Sequence, residues 1–97
     1  MSPQARLLDR YPGIEVRSPI QAHALLSEFE EGISLAHALP DPSPEDLRWL
    51  GVCHFSRFDD NEAIDAYINA IEEGCEEARI NLAHSLAFVD RADEISG

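Results

Sequence analysis

Four histidines and two cysteines are the residues of this 97-residue chain best suited to hold a metal or activate a substrate. Catalytic zinc sites use paired ligands at short spacing, such as two histidines four residues apart around a glutamate. His23, His37, His54 and His84 supply no such pair. His23 and His37 are about four helical turns apart, on the order of 20 Å along one helix, too far to share an ion. His54 falls in register with apolar neighbours and is expected as a packing histidine. Cys53 and Cys75 stand 22 residues apart, a spacing that fits no metal or redox motif, so both are expected as small buried side chains. All seven basic residues are arginine, which rules out a phosphate loop closed by Gly-Lys. Gly-x-Gly-x-x-Gly and Gly-x-Ser-x-Gly do not occur either. The residue types therefore point to a non-catalytic chain that needs no metal or cofactor.

Two acidic clusters remain, Asp59-Asp60-Asn61-Glu62 and Glu72-Glu73-Gly74-Cys75-Glu76-Glu77. The first lacks the alternating aspartates and glycine of a calcium loop. Asp59, Asp60, Glu62, Glu76 and Glu77 fall at expected helix starts, where a carboxylate opposing the macrodipole contributes ~0.3–1 kcal/mol. Glu72 and Glu73 fall at a helix end and are expected either solvated or facing a basic partner. Nineteen acids against seven arginines give a net charge of −12, which argues against nucleic acid and anionic lipid as partners. No apolar run approaches the ~20 residues of a membrane span, and the N-terminus carries no secretory pattern. A cytoplasmic, reducing location is the expectation, and at this length a single domain.

These side chains must be positioned by helices. Ser-Pro occurs at Ser2-Pro3, Ser18-Pro19 and Ser43-Pro44, each a capping hydroxyl before a proline that loses nothing at the first helical position. Gln21 and Asp46 follow Ser18 and Ser43 at capping-box distance, and Asp59 with Glu62 repeats the pattern. Leu47, Leu50, Gly51, His54, Phe55 and Phe58 step by three and four, as do Ala63, Ile64, Tyr67, Ala70 and Ile71, the period of a helix face. Gly74 stands where a helix C-terminus needs a left-handed residue. Leu25, Leu26, Phe29, Ile33, Ala36 and Leu39 predict one longer helix, with Gly32 either bending it or allowing a close approach. The expectation is all-α: a short helix around Pro3 to Arg10, or an arm, over 1–18, then helices over about 19–39, 44–57, 60–73 and 76–88, and a tail over 89–97.

Two helices of about 14 residues joined by a short turn, with a third following at once, have the rhythm of a helical repeat. Leu47, Leu50-Gly51, His54, Ala63, Tyr67 and Ala70 resemble the tetratricopeptide repeat pattern, and Asp60 to Tyr67 is similar to the opening of that family's second helix. Ala78-Arg79-Ile80-Asn81-Leu82-Ala83 resembles the start of a second copy, and Phe29 to Leu39 the end of a degenerate earlier one. The pattern is broken where Leu47 and His54 replace aromatics, where Phe58 replaces the turn glycine, and where Cys75 replaces a closing proline. The resemblance implies antiparallel hairpins stacked as a short right-handed solenoid, with Gly51 and Ala63 at the close approach within one hairpin.

The family likeness further implies a concave groove lined by first helices, and hence a protein or peptide partner. It places Glu45, Arg48, Val52, Phe55 and Ser56 there from the first unit, and Glu77, Ile80, Asn81, His84 and Phe88 from the second. Family members that clamp a C-terminal carboxylate converge bases and asparagines; here Arg48 and Asn81 are in place, but Val52 and Glu77 break the set. A mixed groove suits an amphipathic helix, with Phe55 as an anchor and Trp49 either an anchor or packed on the preceding helix. Alanine at Arg48 and Asn81 is then expected to weaken partner capture without unfolding. The second copy stops short of its own second helix, which leaves Leu82, Leu86 and Val89 as a face for self-association, or marks the chain as the first piece of a longer protein. Two further expectations are a homodimeric scaffold or adaptor, and an acidic decoy for a basic protein.

Overall fold

A computed structural model describes residues 2–96, with side chains as far as residue 89. Six helices follow in order: α1 Pro3–Arg10, α2 Pro19–Leu25, α3 Phe29–Ala38, α4 Pro44–Ser56, α5 Asp60–Glu72 and α6 Ala78–Ser96. There is no strand among the described residues. All three Ser-Pro starts are used. Ser2 accepts from the Ala5 amide, Ser18 from Ile20, and Ser43 closes a full capping box with Asp46 at 3.1 and 2.8 Å. Two of the expected capping details differ. Gln21 takes the Arg17 amide rather than that of Ser18, and Asp59 makes no side-chain cap. The Ser18 hydroxyl instead donates to Asp46 at 2.5 Å, tying the starts of α2 and α4 together.

The single helix expected over 19–39 is two helices. The chain turns at Ser27, whose φ of +62° is left-handed. The Glu28 amide donates to the His23 carbonyl at 2.7 Å and the Ser27 amide to Ala24 at 3.3 Å, the paired bonds of a Schellman turn. The same pair recurs twice. Asp59 to His54 and Phe58 to Phe55 end α4; Cys75 to Ala70 and Gly74 to Ile71 end α5. Three helices thus end in one hydrogen-bonded form, with Ser27, Phe58 and Gly74 at the left-handed position. Only the third is glycine. The expected helix start at 76 lies two residues further on, because Glu76 and Glu77 form i→i+3 turns leading into Ala78. The tail expected over 89–97 is a continuation of α6, which runs to Ser96.

A non-glycine residue held left-handed costs roughly 1–2 kcal/mol, and Phe58 is 75 % exposed, so burial returns little of that cost. Phe58→Gly is expected to raise the unfolding free energy by about 0.5–1 kcal/mol after the entropy a glycine adds to the unfolded chain. Thermal melting should show this as a gain of roughly 4 °C; an unchanged or lower midpoint would contradict the strain.

Packing follows the chain. α4 lies along α5, α5 along α6, and α4 also meets α2, α3 and α6, while α1 rests on α2. Two apolar clusters result. Ile20, Ala24, Ala36 and Cys53 form one, flanked by Trp49 and Leu50; Ala63, Tyr67, Ala70, Cys75 and Ala78 form the other, flanked by Leu47, Phe55 and Leu82. Val52 packs against both. Gly51 and Gly32 allow the closest approaches: a Cβ on Gly51 would meet the Tyr67 ring at 2.4 Å, and one on Gly32 the Cys53 sulfur at 2.8 Å. Gly32 therefore serves contact and does not mark the bend, which lies at Ser27.

Both cysteines are free and buried. Burial pushes the Cys53 thiol up to about 11 and the Tyr67 phenol up to about 12, from ordinary values of 9.0 and 10.0. In each case the unfolded chain gives up its proton first. The stability these neutral groups carry is complete below pH 9 and is lost as pH rises through the folded values. The midpoint of urea unfolding should accordingly fall steadily between pH 9 and 12, and Cys53→Ser should make that fall shallower, Cys75, also raised by burial, keeping its onset near pH 9; a flat profile would contradict it.

Candidate partner-binding face

Of the residues that the tetratricopeptide likeness assigns to a groove, Glu45, Arg48, Trp49, Glu77 and Asn81 gather at one end of the α4–α6 contact, and Phe55, His84 and Phe88 at the other. At the end nearer the start of α4, Arg48 is the hub. Its Nε donates to Asn81 Oδ1 at 2.9 Å, its Nη1 lies 3.5 Å from Glu45 and 3.8 Å from Glu77, and its guanidinium sits 4.8 Å over the Trp49 ring. Glu45 also accepts from the Trp49 indole at 3.1 Å and lies 3.7 Å from the Cys75 sulfur. Glu45, Arg48, Trp49, Glu77 and Asn81 are thus engaged with one another.

Arg17 closes this end from outside. It arrives on the extended segment before α2, where its amide is held by Gln21 Oε1 at 2.7 Å. Its Nη1 reaches Glu77 at 2.8 Å and Glu45 at 3.5 Å. That hydrogen bond, followed by the charge of Arg17, holds the Glu77 carboxyl below its ordinary range. Pattern reading gave no hint of Arg17, because the residues it joins lie 28 and 60 positions away in the chain. Trp49 is half-buried against the α2–α3 cluster, so of its two expected roles the structure displays packing.

The other end is aromatic and open. The Phe55 and Phe88 rings meet edge to face with centroids 5.6 Å apart, and Phe58 lies 6.5 Å from Phe88. Phe55, His84, Ala87 and Phe88 line a shallow cleft of about 390 Å³. Phe58 and Phe88 are exposed, and His84 with them. Ile80, near the start of α6, is 66 % exposed. Val52 is half-buried between the two apolar clusters and Ser56 half-buried at the end of α4. Phe58 was not among the groove residues read from sequence; its signal was there as a phenylalanine in a glycine's place.

His54 has a side chain only 13 % exposed, as expected of a packing histidine, yet its Nδ1 makes no hydrogen bond and Asp59 stands 3.8 Å off. The face expected for self-association also divides. Leu82 packs into the core beside Tyr67, Val89 is half-buried, and Leu86 is exposed. One helical turn separates Leu82 from Leu86, and the 40° that α-helical geometry adds over four residues is enough to turn the second outward. Among the described residues no three His, Cys, Asp or Glu side chains gather as metal donors, and no helix is long and apolar enough to cross a membrane. Set against protein-family models, curated proteins and solved structures, the chain matches none.

Proposed function

We propose that this chain is a non-catalytic protein–protein interaction module, built on stacked helical hairpins of tetratricopeptide type, that docks a helix or peptide of a partner at the Phe55–Phe58–Phe88 end of the α4–α6 face. The observation that carries the reading is Phe58. A left-handed backbone position that its equivalent after α5 gives to glycine is occupied here by a large apolar side chain, three-quarters exposed, beside two further aromatics. Retained backbone strain with no folding benefit points to use of the side chain, and binding energy concentrates in such aromatic clusters. Support for the hairpin stack comes from the recurring Schellman turn, the Gly51–Tyr67 approach, and an elongated outline of 47 × 26 × 24 Å in which α4, α5 and α6 pack successively.

The test is selection of helical segments from a displayed library on the intact protein. Enriched segments should bind Phe58→Gly at least about tenfold more weakly, the loss expected when an aromatic anchor is removed, while that variant melts no lower than the parent. Segments that bind both proteins equally would overturn the docking site.

A further inference from the structure

The partner's chemistry can be narrowed by charge, an inference that rests on the docking reading above. The chain carries −12, and its own cations are largely spent. Arg6 pairs with Glu28, Arg17 with Glu77, Arg48 with Glu45, Arg57 with Glu30 and Arg79 with Glu76. On the α5 side of the aromatic cleft the described residues keep their negative charge. Asp59, Asp60 and Glu62 follow Phe58 directly in the chain, and α5 holds no basic residue along its whole length. Arg57, the cation next to Phe58, is 3.6 Å from Glu30.

Three occupants of the cleft are chemically distinct: a second copy of this chain, an acidic or neutral helix, and a basic one. A second copy would bring one −12 surface against another, and like charges across an interface oppose association. An acidic helix meets the same repulsion. We infer that the Phe55–Phe58–Phe88 cleft takes a cationic amphipathic helix, with a large apolar side chain entering between His84 and Phe88 and lysines or arginines on its flanks facing Asp59 and Glu62. The intramolecular precedent lies at the other end of the same face, where Glu45 and Glu77 already hold the guanidinium of Arg17.

Two synthetic 18-residue helices with the same leucine face, one with lysine and one with glutamate at the polar positions, are the probes. Each is titrated into the full chain, and into Phe58→Gly and Phe88→Ser, by fluorescence anisotropy at low and at physiological salt. Neither substitution alters the net charge, and both side chains are exposed, so the fold should persist and melting curves verify it. The expected result is binding of the lysine helix about tenfold or more tighter than of the glutamate helix, weakened by salt and lost about tenfold in both variants. Equal binding of the two helices, lost in the variants, would leave the docking face standing and overturn the cationic partner. Lysine-helix binding unaffected by either variant would mean diffuse attraction to the acidic surface and overturn the cleft as its site. No binding by either helix would overturn both, and a doubling of mass that Phe88→Ser reverses would assign the cleft to a second copy.

Discussion

Gly51→Val should cost this protein about 3 kcal/mol or more, near the upper end of what overpacking a core removes, and lower its melting temperature by at least roughly 12 °C. A Cβ at position 51 would stand 2.4 and 2.6 Å from two ring carbons of Tyr67, well inside van der Waals contact. The ring has nowhere to go, because it is 2 % exposed and enclosed by Ala63, Ala70 and Ala78. Either α4 and α5 must separate or the ring must leave its rotamer. A domain of this size has only about 5–15 kcal/mol in hand, so the loss is a large share of the total. The cause can be isolated with the milder Gly51→Ala combined with Tyr67→Val, which removes the clashing ring atoms. The double variant should be more stable than the sum of its singles by about 0.5–3 kcal/mol. Strict additivity would mean that the close approach is not what holds the hairpin.

Arg48→Ala should cost about 2–3 kcal/mol, since hydrogen bonds to charged groups carry about 1.5–3 and the stacking on an aromatic about 0.5–1 more. Its side chain is 18 % exposed and joins α4 to Asn81 of α6, to Glu77 just before it, and to Trp49 in its own helix. The loss therefore falls on the docking of α6. The expectation from sequence concerned partner capture by Arg48 and Asn81; in the fold the two side chains bind each other, and Arg48 also meets Glu45, Glu77 and Trp49. Calorimetric melting of Arg48→Ala, Asn81→Ala and the pair measures the coupling directly. A melting point unchanged by Arg48→Ala would contradict the hub.

The helix starts were legible because a capping serine before proline is a local device, decided by three or four consecutive residues. The close approach at Gly51 was legible through the tetratricopeptide likeness, which places a small residue there; that Tyr67 is the ring it meets is seen only in the fold. The break at Ser27 was not, since the left-handed turn there uses serine and its hydrogen bonds resemble those ending α5 only once the backbone is seen. Of the candidate site, the tetratricopeptide likeness placed Phe55, His84 and Phe88 on one face but could not tell which end of that face was free. That depended on Arg17, an exposed arginine on an extended segment, whose partners Glu45 and Glu77 are distant in sequence. Leu82 and Leu86 belong to the same apolar register, and only the placement of α6 against Tyr67 separates the buried one from the exposed one.

Docking at the aromatic end of the α4–α6 face can be read from amide chemical shifts of the labelled protein titrated with the leucine–lysine helix. Shifts should concentrate at Phe55 to Glu62 and His84 to Val89, leaving Arg48, Asn81 and the α2–α3 pair unmoved. Shifts centred on Arg48 and Asn81, or spread evenly over the acidic outer side of α5, would contradict it.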